Sequence, residues 1–468
     1  MYAVASVAAK GISLLLIPVF TAYFSTVNFG VIEIIYVAST LFTSIFSWQF
    51  GQALIRFLGE HKNDPLRKKY ISTTALLVVV FSYLMGTILL IYFRTEICNA
   101  IGLKSGSQTK TFMFAMIAMF FNGIYLFLGS HLQALRYKSK FALSQFLHSF
   151  VGIIATYFFV ITLNKSINGI YYAAIVVLPV IILYQLIALR KDFALGFSRS
   201  IALELLRFSL PMVPAGIALI AFTLSDRILI SIFSTQAKLG VYSVAFKFAF
   251  GLQLIISGYS MAIHPIIFQN YRAEKTKDYL SSLLLGYTIT GALAVILLSL
   301  FAVETVVIFT QPSYYSAHRV MPLLYAITWI NGFVMFAPGM QVSKKTGWIS
   351  LVICSALVIN FILSYYLIPL MNIKGAALGT LISTLIYVIG LFIVSMKLYP
   401  YQFAKKSLLT VISLTVLFVI TISILFESIV LRMDLASKFS IAFCLLTAVL
   451  FYFVFKNIGK KQEENEII

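Results

Sequence analysis

Five charged residues lie inside long apolar stretches of a sequence that otherwise keeps its charges between such stretches: Lys10, Glu33, Asp226, Arg227 and Lys247. A charge in the hydrocarbon core of a bilayer costs about 2.5–3.5 kcal/mol, so charges retained there usually face a water-filled cavity or one another. Three of the five are cationic and two are acidic, so the set sums to +1. A cationic cavity inside a membrane protein indicates an anionic cargo.

The composition predicts the element that carries these charges. The chain has 468 residues, of which 61% are hydrophobic and only 11% are charged. This is typical of an all-α polytopic membrane protein, because each crossing needs about 20 apolar residues in a helix. We predict about 14 transmembrane segments: 2–23, 30–54, 71–93, 112–135, 142–163, 169–189, 208–233, 241–263, 280–302, 320–342, 348–369, 375–396, 407–426 and 439–455.

Lys and Arg are distributed unevenly between the two sets of loops. The loops on the side of the N-terminus hold more than twice as many of them as the opposite loops. Because basic loops stay cytoplasmic, both termini are expected on the cytoplasmic side of the membrane, and the first apolar run is expected to be a retained helix. The formal charge of +20 then follows from topology, and we expect no nucleic-acid partner.

No residue pattern indicates a cofactor. The three cysteines and five histidines have no metal-ligand spacing, and there is no glycine-rich nucleotide loop. We therefore predict no metal, no catalytic residue and no enzyme activity, with H⁺ or Na⁺ as the one small ion to consider.

The sequence contains a weak internal repeat. Phe24-Ser25-Thr26 followed by Gly30-Val31 recurs as Phe233-Ser234-Thr235 followed by Gly240-Val241, and a second echo pairs Asn168-Gly169 with Lys374-Gly375. Both echoes begin a helix, at offsets of about 209 and 206 residues. We predict two pseudo-symmetric six-helix lobes with parallel topology, as in many transporters: 1–205, 206–400, and then 401–468 with two further helices and a cytoplasmic tail.

A polar stripe follows the second predicted segment. Glu33, Tyr36, Thr40, Thr43 and Ser47 recur at spacings of 3, 4, 3 and 4 residues, which places them on one helix face. We expect the stripe to line a cavity and Glu33 to face it, so that Glu33 is a candidate for ion coupling.

The adjacent pair Asp226 and Arg227 poses a different problem. Neighbouring residues on a helix point about 100° apart, so these two are not expected to satisfy each other fully. Arg227 is expected to find Thr223, Ser231 or a charge on another helix, and the alternative to a cargo site is a structural ion-pair network. Asp226 is the second candidate for ion coupling.

Several motifs, taken together in order, resemble those of Wzx-type polysaccharide flippases in the superfamily that includes MATE drug exporters and the lipid II flippase. The similarity extends over some 400 residues and rests on Lys10-Gly11 with Leu14 to Pro18, Tyr23-Phe24-Ser25, Phe29-Gly30, Gln52-Ala53-Leu54-Ile55-Arg56-Phe57, Asp226-Arg227 and Leu239-Gly240-Val241-Tyr242-Ser243.

The resemblance implies a two-lobed carrier that moves undecaprenyl-diphosphate-linked oligosaccharide outward by alternating access, for O-antigen, lipopolysaccharide or other polysaccharide synthesis. It implies that Lys10, Arg56, Arg227 and Lys247 handle the diphosphate or glycan, and that lipids and the polysaccharide polymerase machinery are partners. The lipid II flippase has more arginines in its first helices, so lipid II is not the expected cargo here.

Two alternatives remain at this stage. A MATE-like cation-coupled drug antiporter would favour an acidic cavity, whereas the five intramembrane charges sum to +1. A membrane glycosyltransferase or polymerase usually displays a sizeable outer loop with catalytic residues, and the longest outer loops here, 94–111 and 303–319, are short.

Overall fold

The computed structural model describes residues 17–61, 63–270, 274–343, 345, 347–425 and 433–443. Within them, 12 helices are long and apolar enough to cross a membrane. The predicted segments 2–23 and 439–455 lie largely outside the described residues. The prediction of an all-α polytopic membrane protein is confirmed.

The helices are named here in chain order: α1 Ile17–Tyr23, α2 Thr26–Phe46, α3 Phe50–Glu60, α4 Pro65–Tyr92, α5 Arg94–Ala100, α6 Gly106–Ala134, α7 Lys138–Tyr157, α8 Ser166–Leu189, α9 Arg199–Ser209, α10 Val213–Phe233, α11 Gln236–Ala249, α12 Gln253–Asn270, α13 Glu274–Leu300, α14 Ala302–Phe309, α15 Met321–Gly332, α16 Gly339–Val342, α17 Gly347–Met371, α18 Ile373–Leu398 and α19 Lys405–Ile420.

The chain forms two compact units. The first comprises Met1–Val244 and Ile349–Ser383, and the second comprises Ala245–Trp348 and Thr384–Ile468. This grouping follows packing, whereas the predicted lobes with boundaries after residues 205 and 400 follow the sequence repeat. Those lobes stay a prediction.

Polar side chains join the packed helices of the first unit. Buried Gln185 on α8 donates its Nε2 hydrogen to Ser144 on α7 at 2.9 Å. Tyr83 on α4 donates to the carbonyl of Thr43 on α2 at 2.9 Å, and its ring fills the space over Gly123 of α6. Such bonds satisfy buried polar groups. They join α7 to α8 and α2 to α4.

The second predicted segment is broken, whereas the sequence suggested one continuous helix over 30–54. Trp48 and Gln49 have φ angles of 42° and 55°, so the backbone turns left-handed between α2 and α3. This interrupts the helical hydrogen-bond ladder. Gly216 of α10 lies against the break, since a Cβ there would stand 2.3 Å from Nε2 of Gln49.

An aromatic cluster organises the second unit, where α13 packs against α15 and α19. Tyr287 donates to the carbonyl of Trp329 at 2.6 Å, and its ring packs edge-on against Phe333 at 5.0 Å. Elsewhere in this unit, buried Lys438 pairs with Glu304 at 2.6 Å.

Candidate functional site

Four side chains of the first unit form a buried charged cluster: Glu33 on α2, Asp226 and Arg227 on α10, and Tyr242 on α11. The guanidinium Nε of Arg227 lies 2.7 Å from Oε1 of Glu33, and its Nη1 lies 3.4 Å from Oδ1 of Asp226. The Tyr242 hydroxyl donates to Oδ2 of Asp226 at 2.5 Å. All four residues are at most 5% exposed, so the charges meet one another rather than solvent.

The local helix geometry explains these partners. Asp226 and Arg227 are adjacent, and the 3.4 Å separation between their charged groups is long for an ion pair. Arg227 therefore reaches across to Glu33 and also donates from Nη1 to the carbonyl of Thr223 at 3.3 Å. The prediction that each member of the pair needs other partners fits this geometry. Ser231, the other suggested partner, instead donates to the carbonyl of Ile101 at 2.7 Å.

The balance of charge in the cluster differs from that of the full set of intramembrane charges. Two carboxylates face one guanidinium, which leaves a formal charge of −1. Removing one partner of such a buried pair typically costs about 3–5 kcal/mol, because the other charge is left uncompensated. The cluster therefore fastens α2 to α10 strongly while it keeps the cation of Arg227 out of contact with solvent.

Two glycines of the sequence repeat bring the backbones together beside this cluster. A Cβ on Gly30 would lie 1.9 Å from the carbonyl oxygen of Gln236, and a Cβ on Gly240 would lie 1.9 Å from that of Thr26. Only glycine permits such an approach. The contact is reciprocal: Gly30 of α2 packs against the first residue of α11, and Gly240 of α11 packs against the first residue of α2.

Further hydrogen bonds close the same end of these helices. The side-chain amide of Gln236 donates to the carbonyl of Gly102 at 3.2 Å and to the Ser231 hydroxyl at 3.1 Å. Gly102, at φ +83°, is the second residue after the end of α5. The ends of α5 and α10 and the starts of α2 and α11 thus meet in one closed junction.

Three members of the polar stripe of α2 border a cavity in the first unit. Tyr36, Thr40 and Thr43 border a space of about 430 Å³, and Tyr36 is 56% exposed. Ser47 is not among the lining residues. The sequence suggested that Glu33 faces this cavity. Its carboxylate instead lies against Arg227 and is buried, and Glu33 is not among the lining residues.

The other residues predicted to handle cargo lie elsewhere. Arg56 on α3 is exposed, pairs with Glu60 at 2.7 Å and lies 4.3 Å above the ring of Phe208. Lys247 belongs to the second unit and is partly exposed. Lys10 lies outside the described residues. Glu33, Asp226 and Arg227 are thus the predicted site residues that the structure brings together.

Tyr242 is the member of the cluster that sequence reasoning missed. It carries no charge, and tyrosines are abundant in this chain, with 26 in all. The available signal was its position directly after the repeated Gly240-Val241, two residues beyond the close backbone contact at Gly240.

Solved structures of transporters share the fold. The lipid II flippase MurJ, in an inward closed conformation, is 16% identical and aligns over 98% of this chain and 99% of its own, with a TM-score of 0.73. A multidrug resistance MATE family transporter of the MOP superfamily, in an inward-facing conformation, is 14% identical over 86% of this chain and 95% of its own, with a TM-score of 0.68.

A mutant of the Vibrio cholerae MATE transporter VcmN is also similar. It is 14% identical over 85% of this chain and 94% of its own, with a TM-score of 0.55. At these identities the similarity establishes the fold alone. No curated protein matches the chain significantly in sequence.

A family model matches more than half of the chain. The family is described as polysaccharide biosynthesis protein, and the match covers residues 1–271, which include every member of the charged cluster. The resemblance predicted from the motifs is confirmed by this match and by the MATE and lipid II flippase fold. The chain belongs to the polysaccharide biosynthesis protein family and is a multi-pass membrane protein that shares its fold with MATE transporters and the lipid II flippase.

Proposed function

We propose that this protein is a flippase that translocates undecaprenyl-diphosphate-linked oligosaccharide repeat units from the cytoplasmic to the outer face of the plasma membrane by alternating access. Membership of a polysaccharide biosynthesis family and a fold shared with a lipid II flippase support a lipid-linked cargo. The observation that carries the proposal is the buried Glu33–Arg227 pair, because it holds an intramembrane cation on carboxylates that a diphosphate can replace.

The exchange of partners gives the cluster its role. Arg227 pairs with Glu33 while the junction of Gly30 and Gly240 is closed. When the helices separate, the guanidinium turns to the diphosphate, whose oxygens can accept charge-assisted hydrogen bonds from it. The carboxylate and the cargo thus compete for one cation, so the empty and loaded carriers favour different conformations.

The predicted topology places the closed junction at the outer face and gives the transport a direction. Cargo enters from the cytoplasmic side, where Arg56 makes the first contact with the diphosphate, and Lys10 and Lys247 add positive charge on the way. A membrane potential that is negative inside favours outward movement of an anion by about 2.3 kcal/mol per charge per 100 mV. The polyprenyl tail stays in the surrounding lipid while the headgroup crosses.

The cluster has one carboxylate more than it has cations, so it can bind a coupling ion. With a formal charge of −1, the cluster reaches neutrality by binding one H⁺ or Na⁺ at Glu33 or Asp226. Glu33 is the better candidate, because Tyr242 already donates to Asp226. The return of the empty carrier is the step that such a cation would assist, since the diphosphate no longer competes for Arg227.

Deletion of the gene, followed by analysis of lipid-linked glycan in intact cells, tests the proposal. We expect a complete repeat unit to accumulate that is protected from reagents added outside. Loss of surface polysaccharide, whether O-antigen or another polymer made with a partner polymerase, should follow. Failure to assemble the repeat unit at all would instead make the protein a glycosyltransferase.

A cation-coupled drug antiporter is the second candidate function. The observation that favours it is the formal charge of −1 on the cluster, since an acidic site attracts organic cations. Proteoliposomes loaded with ethidium distinguish the two functions. Ethidium release driven by a proton or sodium gradient, and lost in Glu33→Gln, would support the antiporter and contradict the flippase.

A further inference from the structure

The second unit contains a cavity of about 290 Å³, and the described residues that line it have uncharged polar or apolar side chains. Its polar members are Gln253 and Ser260 on α12, Asn331 on α15 and Gln341 on α16. None of the described residues that line it is charged. The cavity therefore has the chemistry for a neutral, hydrogen-bonding ligand rather than for a diphosphate.

Three carboxamides converge on this space with their hydrogen-bonding capacity unused. Among the described residues, the side chains of Gln253, Asn331 and Gln341 have no hydrogen-bond partner, and those of Asn331 and Gln341 are exposed to the cavity. A carboxamide carries two donor hydrogens and an acceptor oxygen. Sugar hydroxyls likewise both donate and accept, so one carboxamide can bind two neighbouring hydroxyls.

Apolar groups provide the rest of the lining. Ile256, Ile267, Val334, Met335 and Pro338 line the cavity together with the carboxamides. A sugar ring is likewise amphipathic, because its C–H groups form apolar patches between the hydroxyls. The combination matches the general pattern of ligand pockets, in which a few polar groups set orientation within a mostly apolar wall.

The wall that carries Asn331 is rigid. Gly332 packs so closely that a Cβ there would lie 1.9 Å from the hydroxyl of Tyr287. That hydroxyl is fixed by its bond to the carbonyl of Trp329, and the Tyr287 ring contacts Phe333 and Phe336 with centroids 5.0 and 5.5 Å apart. The backbone that carries Asn331 is thus held in place before a ligand arrives, so binding needs to order only its side chain.

We infer that this cavity, hereafter the carboxamide cavity, binds one uncharged sugar residue of the transported glycan. The inference rests on the proposed function and deepens it, because it assigns recognition of the glycan to the second unit and of the diphosphate to Arg227. The volume of about 290 Å³ lies near the lower end of ligand pockets, about 300–1,000 Å³, and suits a single ring.

Saturation-transfer difference NMR on the purified full-length protein tests this binding. The probes are glucose, galactose and N-acetylglucosamine, with glucuronate as the charged comparison. We expect at least one neutral sugar to receive saturation and glucuronate to receive less. Gln341→Leu and Asn331→Leu should each raise the dissociation constant about three- to tenfold, the loss expected for one hydrogen bond.

Gln402→Leu is the matched control, because Gln402 is exposed in the same unit and does not line the cavity. Gln341→Leu is the decisive variant if Asn331→Leu fails to fold, since its side chain is exposed. Absence of saturation for all three neutral sugars, equal loss in the control, or stronger transfer to glucuronate would each overturn the inference.

Transport measurements separate this inference from the proposed function. If wild-type protein flips lipid-linked glycan but binds none of the neutral sugars, the assignment of the carboxamide cavity fails and the flippase stands. If it binds a neutral sugar at this cavity but moves no lipid-linked glycan, the flippase fails and the binding site stands.

Discussion

The charged cluster of the first unit and the carboxamide cavity of the second unit keep polar groups inside a membrane protein in opposite ways. In the cluster, Glu33, Asp226 and Arg227 satisfy one another and leave no room for a ligand. In the cavity, Asn331 and Gln341 are uncharged and face open space. The charged groups are buried in ion pairs, whereas the neutral amides remain available for a ligand.

The difference has a physical cause. An unpaired charge in a low-dielectric interior costs several kcal/mol, whereas an amide exposed to a wet cavity costs little. A phosphate-binding cation must therefore be covered by a carboxylate when cargo is absent. A sugar-binding amide needs no carboxylate partner. The charged cluster therefore has to rearrange when cargo binds, whereas the carboxamide cavity does not.

The largest effect is expected when the cluster loses its cation. Arg227→Ala leaves two carboxylates buried without a guanidinium, so the free energy of unfolding should fall by about 3–5 kcal/mol. Thermal unfolding of the purified protein measures this loss. Arg207→Ala, which removes an exposed arginine of α9, is the control and should change little. Equal stability of the two variants would mean that the pair is not buried in the membrane.

Tyr242→Phe should have the next largest effect. It deletes the hydrogen bond from the Tyr242 hydroxyl to Asp226 and keeps the ring. Hydrogen bonds to charged groups contribute about 1.5–3 kcal/mol. Tyr325→Phe, at a buried tyrosine of the second unit, is a comparison of equal size. A loss in Tyr242→Phe no larger than in Tyr325→Phe would show that Asp226 does not depend on this donor.

Gly30→Ala tests the closed junction. A methyl group would meet the carbonyl of Gln236, and such overpacking costs about 1–3 kcal/mol. Gly59→Ala is the matched control, because nothing lies within 4 Å of its added Cβ and alanine favours the helix. We expect a lower melting temperature for Gly30→Ala and an unchanged or higher one for Gly59→Ala. The same result for both would contradict the close backbone contact.

The smallest effect on stability is expected for Arg56→Ala. Its pair with Glu60 is exposed, and exposed pairs contribute about 1 kcal/mol or less. If Arg56 receives the diphosphate, glycan flipping should nevertheless slow several-fold at unchanged melting temperature. Unchanged flipping in Arg56→Ala would remove Arg56 from the cargo path and leave the comparison between the two regions intact.

The sequence predicted the identity of the intramembrane charges better than their surroundings. Glu33, Asp226 and Arg227 are recognisable because charges are rare in apolar segments. Which helix faces meet depends on packing that hydropathy does not encode, so the turn of Glu33 towards Arg227 was not foreseen.

Elements without charge were harder still to predict. The break falls at Trp48 and Gln49, which are neither glycine nor proline, and the nearest glycine, Gly51, lies within α3. Asn331 and Gln341 are far from Gln253 in sequence and come together only through the fold of the second unit. The reciprocal contact of Gly30 and Gly240 was marked by the repeat, but the repeat alone did not indicate that its two copies touch.

Flipping of undecaprenyl-diphosphate-linked oligosaccharide in proteoliposomes tests most directly whether the cluster carries the diphosphate. The decisive variant is the double substitution Glu33→Gln with Arg227→Gln, which removes both members of the pair and leaves the cluster without a guanidinium to bind the cargo. We expect it to fold, as judged by its melting temperature, and to flip at least tenfold more slowly than wild type or Arg207→Ala. A folded double variant that flips at the wild-type rate would contradict the account.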